Sequence, residues 1–246
     1  MMISYLFRTG VENNKFPLFS PIHLLMLMSV FMIILLLILG KNKIKNDKQL
    51  EKKVSMTLVF LIIIENSLFY GWNLFTHPEP LTEIFPLYTC RLVEVLIIFM
   101  LITKKSKYFI MPYFWGILGG ISSFILPDIG GYYWPHITYL SFYIGHLAII
   151  VGPLYGIIIY NFKIEKREFF YFLKFSYVFY FFTFAVNILV NGNYAFLMAP
   201  PIAAQEAGYV PKLIPHFIAY TTIYTFVSSL FYFIPSLYRK HFKIQS

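Results

Sequence analysis

The run SPIHLLMLMSVFMIILLLIL, from Ser20 to Leu39, contains no Asp, Glu, Lys or Arg. About 20 consecutive apolar residues form a helix long enough to cross the ~30 Å hydrocarbon core of a bilayer. A helix also satisfies its own backbone polar groups, which find no water inside the bilayer. The run is therefore typical of a transmembrane helix.

Similar apolar runs follow along the whole chain. Together they predict seven spans, at residues 20–39, 54–74, 86–103, 108–126, 137–160, 169–190 and 214–237. The predicted fold class is an all-α membrane protein, a bundle of seven transmembrane helices. No segment between the runs is long enough for a soluble domain. We therefore expect a single integral membrane domain over residues 1–246.

The composition excludes a soluble globular protein. Hydrophobic residues make up 59% of the chain and charged residues only 13%, and the mean hydropathy is +0.68. Soluble domains contain roughly 25% charged residues. Membrane lipids are thus the expected partners. The net charge of +9 comes from loop lysines and arginines between apolar runs, so we expect no nucleic-acid partner.

The same basic residues predict the orientation. Fifteen Lys and Arg residues lie on one side of the seven spans and three on the other. Loops rich in Lys and Arg stay on the cytoplasmic side of a membrane. The amino terminus is therefore predicted outside and the carboxyl terminus inside.

Several polar side chains interrupt the apolar runs, all in the outer half of the predicted spans. They are Glu65, Asn66, Cys90, Arg91, Glu94, His146 and Asn187. An ionisable group within a span costs roughly 2.5–3.5 kcal/mol on insertion scales, so it needs a partner, water or a function. The one-sided placement predicts a polar cavity open to the outer side. Interhelical hydrogen bonds and one buried ion pair remain an alternative explanation.

Cofactor motifs are absent from the sequence. The single cysteine, Cys90, excludes an internal disulfide and a cysteine-rich metal site. No His-Glu-x-x-His spacing, phosphate loop or dinucleotide fingerprint occurs. We therefore expect no metal and no cofactor.

Five motifs carry a resemblance to a known family. They are Phe-Pro-Leu-Tyr-Thr-Cys90, Tyr-Phe-Trp-Gly-Ile-Leu-Gly-Gly120, Leu-Pro-Asp128, Phe-Tyr-Ile-Gly-His146, and Asn-Gly-Asn-Tyr-Ala-Phe-Leu197 followed by Pro200. In this order they resemble the YwaF-like bacterial integral membrane proteins, which are distantly similar to the transmembrane protein 164 acyltransferases. The resemblance implies a multi-pass protein of a bacterial-type plasma membrane.

The resemblance also implies a chemistry, the transfer of fatty acyl groups between lipids. It makes Cys90 the acyl-accepting nucleophile and His146 its base. Arg91, Asn187 or Asn193 are then candidate donors to the oxyanion. The remaining candidate pocket residues are Glu65, Asn66, Glu94 and Tyr194.

Two other functions remain open from the residues alone. A transporter or small-solute or lipid-binding membrane protein would use Glu65, Arg91, Glu94 and His146 as a polar or proton-linked site. The absence of inverted repeats argues against a secondary transporter. A noncatalytic membrane partner is the third possibility.

Overall fold

The computed structural model describes residues 5–9, 16–76, 84–201 and 212–242, with side chains as far as Phe233. Seven α-helices lie wholly within these residues, and no β-strand occurs among them. The helices are α1 (Pro21–Asn46), α2 (Lys48–Thr76), α3 (Thr89–Thr103), α4 (Ile117–Ile125), α5 (Ile137–Ile158), α6 (Lys166–Val190) and α7 (Leu213–Phe242). The all-helical class predicted from the sequence is confirmed.

Five of the helices are long and apolar enough to cross a membrane. They are α1, α2, α5, α6 and the part of α7 up to Phe233. The chain is therefore a multi-pass membrane protein. At predicted span three, α3 has 15 residues, about 22 Å at 1.5 Å per residue. At predicted span four, the nine residues of α4 directly continue a π-helical turn. The count of seven crossings stays a prediction.

Prolines explain why these two helices are shorter than the apolar runs that contain them. Pro86 lies in a bend, and α3 begins only after the extended backbone of Tyr88. A π-helical turn, Pro112–Gly116, precedes α4. Proline cannot donate a hydrogen bond into the preceding turn, so the regular helical ladder is interrupted where proline occurs.

The lysine-rich segment between the first two predicted spans is helical rather than a loop. Residues 40–46 extend α1, and α2 begins immediately after Asp47. The Asp47 carboxylate accepts hydrogen bonds from the backbone N–H groups of Gln49 and Leu50, at 2.9 and 3.0 Å. Lysine is a good helix former and aspartate a good N-terminal cap, so this polar sequence continues the two helices.

The described residues form two compact units, Met1–Lys163 and Ile164–Ser246. The first unit contains α1 to α5, and the second contains α6 and α7. The single domain expected from the sequence stays a prediction.

Within the first unit, α5 is the central helix. More than half of its apolar stretch (56%) is buried, against 17% in α1 and 22% in α2. Small residues allow this close packing. A Cβ on Gly116 would lie 2.6 Å from the backbone oxygen of Ile149, and a Cβ on Gly152 would lie 2.7 Å from Ile97. Through these contacts α5 is held against α3 and the turn before α4.

Candidate functional site

Three buried charged side chains from α2 and α3 meet in the first unit. Arg91 Nη1 donates to both carboxylate oxygens of Glu65, at 2.6 and 2.7 Å. The same nitrogen donates to Glu94 Oε2 at 3.0 Å. Their exposures are only 0% for Glu65, 6% for Arg91 and 2% for Glu94, so water screens this interaction weakly. We call these three residues the charged cluster.

Neutral groups also contact the charged cluster. Asn66 Nδ2 donates to Glu94 Oε2 at 2.9 Å, and Ser141 Oγ on α5 donates to Glu65 Oε1 at 2.6 Å. The Arg91 guanidinium carbon lies 3.8 Å from the centre of the Phe69 ring. The structure thus brings together four residues predicted from the sequence, Glu65, Asn66, Arg91 and Glu94.

Sequence reasoning missed two positions of α5 that border the charged cluster. Ser141 is one hydroxyl in an apolar helix, and Gly145 has no side chain, so neither gave a signal of its own. They are four residues apart and therefore share one helix face. A Cβ on Gly145 would lie 2.6 Å from Glu94 Oε1 and 3.1 Å from the carboxylate carbon of Glu65. Only glycine leaves both carboxylates in place.

We expect Gly145→Ala to destabilise the first unit by about 1–3 kcal/mol, the usual cost of overpacking a filled interior. The added methyl group must displace a carboxylate that Arg91 and Asn66 hold. Thermal unfolding of the purified protein in detergent measures the effect. Gly119→Ala in α4 is the matched control, because nothing lies within 4 Å of its Cβ. Equal thermal unfolding midpoints for the two variants would show that a methyl group at position 145 does not disturb the two carboxylates.

Cys90 is the second residue of α3 and is a half-buried free thiol. It is adjacent in the chain to Arg91 and lies one helical turn before Glu94. Among the described residues, the backbone N–H groups of Thr89 and Cys90 have no hydrogen-bond partner, as is usual in the first turn of a helix. Cys90 thus lies in a first helical turn with unpaired backbone donors, one residue before Arg91.

His146 lies on α5, next to Gly145, and is half-buried. Its Nδ1 is 2.8 Å from the backbone oxygen of Phe142, and its ring stacks on the Phe142 ring with centres 4.1 Å apart. Within the described part of the chain, Nε2 has no hydrogen-bond partner, and no hydrogen bond joins His146 to Cys90.

The remaining predicted site residues lie in the second unit, where they organise the loop after α6. Asn187 Oδ1 accepts from the Tyr194 N–H at 2.8 Å, and Asn187 Nδ2 donates to the Tyr194 carbonyl at 3.0 Å. Asn193 Oδ1 accepts from the N–H groups of Met198 and Ala199, both at 3.0 Å. The Asn187 amide is therefore used by the backbone, and a role in binding substrate stays a prediction for all three residues.

The loop needs these hydrogen bonds because its backbone is strained. Asn191, Ala195 and Phe196 all have φ between 53° and 56°. Only glycine adopts that region without cost, and asparagine tolerates it better than other residues. The amides of Asn187 and Asn193 offset part of this cost.

Among the residues that the structure describes, no three His, Cys, Asp or Glu side chains are grouped as metal ligands. The two carboxylates of the charged cluster are instead bound by Arg91.

Comparison with known proteins identifies a family. The profile of the TMEM164 family matches residues 18–233, which is most of the chain. No curated protein and no solved structure matches it. The matched range includes the charged cluster, Cys90 and His146.

Proposed function

The chain belongs to the TMEM164 family, and from that premise we propose that it transfers acyl groups between membrane lipids, with Cys90 as nucleophile and His146 as base. This is the chemistry that the sequence resemblance implies. The membrane lipids are then both its surroundings and its substrates.

The observation that carries the proposal is the hydrogen bond between His146 and Phe142. A backbone carbonyl can only accept, so Nδ1 carries the proton of the neutral imidazole. The lone pair is then on Nε2, which has no partner among the described residues. A histidine with one nitrogen fixed by a carbonyl and the other available is arranged as a general base.

The position of Cys90 supports its role as the nucleophile. The thiolate, not the thiol, attacks a carbonyl, and it is stabilised at a helix N-terminus and near a cation. Cys90 lies in the first turn of α3, next to Arg91. In this proposal His146 acts as the base that removes the thiol proton.

Two sets of donors are suited to hold the oxyanion. The N–H groups of Thr89 and Cys90 have no partner in the described structure. Arg91 uses only Nη1 for the two carboxylates, so its Nη2 and Nε also lack a described partner. Fixed donors of this kind stabilise the charge that develops on the carbonyl oxygen.

The proposed reaction has two steps, acylation of Cys90 and transfer of the acyl group to an acceptor lipid. The Cys90 sulfur bonds to the ester carbonyl carbon of the donor lipid while His146 takes the thiol proton. The carbon–oxygen bond of the ester breaks, and the leaving alkoxide takes that proton back. The hydroxyl of an acceptor lipid then attacks the thioester, gives its proton to His146, and releases Cys90, which regains a proton from the imidazolium.

The topology and location form part of the same proposal. In it the chain crosses a bacterial plasma membrane seven times, with the amino terminus outside, as a YwaF-like member of its family. The reacting groups then lie in a polar cavity open to the outer side. The excess of basic residues on the opposite side supports this orientation.

An acyl-trapping experiment tests the proposal. Purified protein is treated with a long-chain acyl p-nitrophenyl ester, and the hydroxylamine-sensitive adduct is measured by intact-protein mass spectrometry. We expect one acyl group per chain, because Cys90 is the only cysteine. Cys90→Ala is expected to carry none.

The matched control moves the thiol instead of removing it. Cys90→Ala combined with Ser122→Cys places a single thiol on an exposed position of α4. A positioned base contributes about 10²–10⁴-fold, so the parent is expected to label at least about 100-fold faster. Labelling of the relocated thiol at the parent's rate would refute the catalytic role of Cys90.

A proton-linked solute carrier is the second candidate, and the charge of the cluster favours it. Two carboxylates share one guanidinium, so the cluster has a formal charge of −1 when both are ionised. Buried carboxylates in spans are typical of proton relays. Solute uptake that is lost in Glu65→Gln but unchanged in Cys90→Ala would favour this candidate over acyl transfer.

A further inference from the structure

Two adjoining cavities lie at the lysine-rich end of the first unit, away from the charged cluster. Their volumes are about 220 and 410 Å³, and both are lined by Lys48, Glu51 and Lys104. Lys104 is 14 residues beyond Cys90, about 21 Å along a helix. The cavities are therefore separate from the proposed catalytic residues.

A buried carboxylate, that of Glu51, lines both cavities. It is 8% exposed and forms an ion pair with Lys104. Tyr160 Oη donates to Glu51 Oε1 at 2.7 Å, and Tyr155 Oη donates to the Glu51 carbonyl at 3.2 Å. The contacts join α2 to the end of α3 and to α5. They also neutralise the acidic charge that faces the cavities.

Three further lysines line the cavities without an acidic partner. Lys45 donates to the neutral Asn161 Oδ1 at 2.9 Å, and no ion pair is formed by Lys45, Lys48 or Lys52 within the described residues. The nearby Asp47 carboxylate caps α2. After Glu51 is paired with Lys104, an excess of positive charge remains. Ammonium groups along such cavities bind phosphate oxygens through charge-assisted hydrogen bonds.

One wall of the larger cavity is apolar. It is formed by Met56, Leu101 and Ile102, and Ile102 is 56% exposed. A soluble anion gains nothing from such a wall, but the first carbons of an acyl chain do. Basic pockets between helices at the cytoplasmic end of a membrane protein are suited to anionic lipid headgroups.

We propose that these cavities bind one anionic phospholipid, with its phosphate on Lys45, Lys48 and Lys52 and its acyl chain along Leu101 and Ile102. The Glu51–Lys104–Tyr160 contacts hold the helices in the arrangement that brings the lysines together. This lipid is held at the opposite end of α3 from Cys90. The site does not depend on acyl transfer.

Native mass spectrometry of the full chain, titrated with phosphatidylglycerol in detergent, tests the proposal. We expect one retained phosphatidylglycerol and much weaker retention of phosphatidylcholine. Lys48→Gln with Lys52→Gln is expected to weaken that retention by about tenfold or more, since each lysine near an anionic surface contributes substantially to binding. The thermal midpoint of lipid-free protein should be unchanged, because both side chains are exposed.

The control removes the same charge from the same end of the unit. Lys41 and Lys43 are exposed on α1 and line neither cavity, so Lys41→Gln with Lys43→Gln should retain phosphatidylglycerol as the parent does. An equal loss in this control would overturn the proposal in favour of diffuse attraction. Displacement of the lipid by equimolar inorganic phosphate would overturn it in favour of a soluble anion. Equal retention of phosphatidylcholine would overturn it as well.

Discussion

Replacing Arg91 with methionine is expected to lower the free energy of unfolding by about 3–5 kcal/mol, the usual cost of removing one partner from a buried ion pair. Methionine keeps much of the apolar volume but leaves Glu65 and Glu94 facing each other without a cation. It also removes the contact with the Phe69 ring. Thermal unfolding in detergent and the yield of folded protein measure the loss.

The matched variants separate the missing charge from the missing contacts. Arg91→Met combined with Glu65→Gln and Glu94→Gln removes the uncompensated carboxylates and should recover much of the lost stability. Glu94→Gln alone should cost less than Arg91→Met, because it preserves the pair of Arg91 with Glu65. If the triple variant is no more stable than Arg91→Met, charge burial is not the cause.

Replacing His146 with asparagine is expected to slow acyl transfer by about 10²–10⁴-fold, the contribution of a positioned general base. The asparagine amide can still donate to the Phe142 carbonyl, as Nδ1 does. The amide is not basic enough to accept the thiol proton. The rate of p-nitrophenyl ester turnover per folded molecule is the measurement.

The pH profile distinguishes a lost base from a structural defect. Without the base, thiolate forms only by titration, so the rate in His146→Asn should rise about tenfold per pH unit below the thiol pKa. His23→Asn is the control. Both ring nitrogens of His23 are hydrogen bonded to the backbone, at Phe19 and Phe124, so this variant should lose stability but keep the parent's pH profile. A parent-like profile in His146→Asn would refute the role of His146.

The pairing of charged residues in the site was predictable from the sequence, because a charge buried within an apolar span requires an oppositely charged or polar partner. Glu65, Arg91 and Glu94 each had to find a partner within an apolar span, and they pair with one another. The partners of Asn187 were not predictable in this way. An amide can serve another helix, a substrate or a local loop, and here it serves the backbone of Tyr194.

At the lysine-rich end of the first unit, the sequence likewise did not predict which residues are in contact. The lysines of residues 41–53 were visible in the sequence as a topology signal. The contacts of Glu51 with Lys104 and Tyr160 beside these lysines were not visible. Glu51 is 53 positions from Lys104 and 109 positions from Tyr160 in the chain. Only packing of α2 against α3 and α5 makes them neighbours.

Hydropathy alone determined that this chain is helical and belongs in a membrane, since the length and polarity of a run are local properties that the bilayer selects directly. The tertiary structure decided which polar groups meet. Pairing depends on how each helix is rotated and how closely its neighbours approach. At Gly145 the missing side chain sets that approach and lets Glu65 and Glu94 share Arg91.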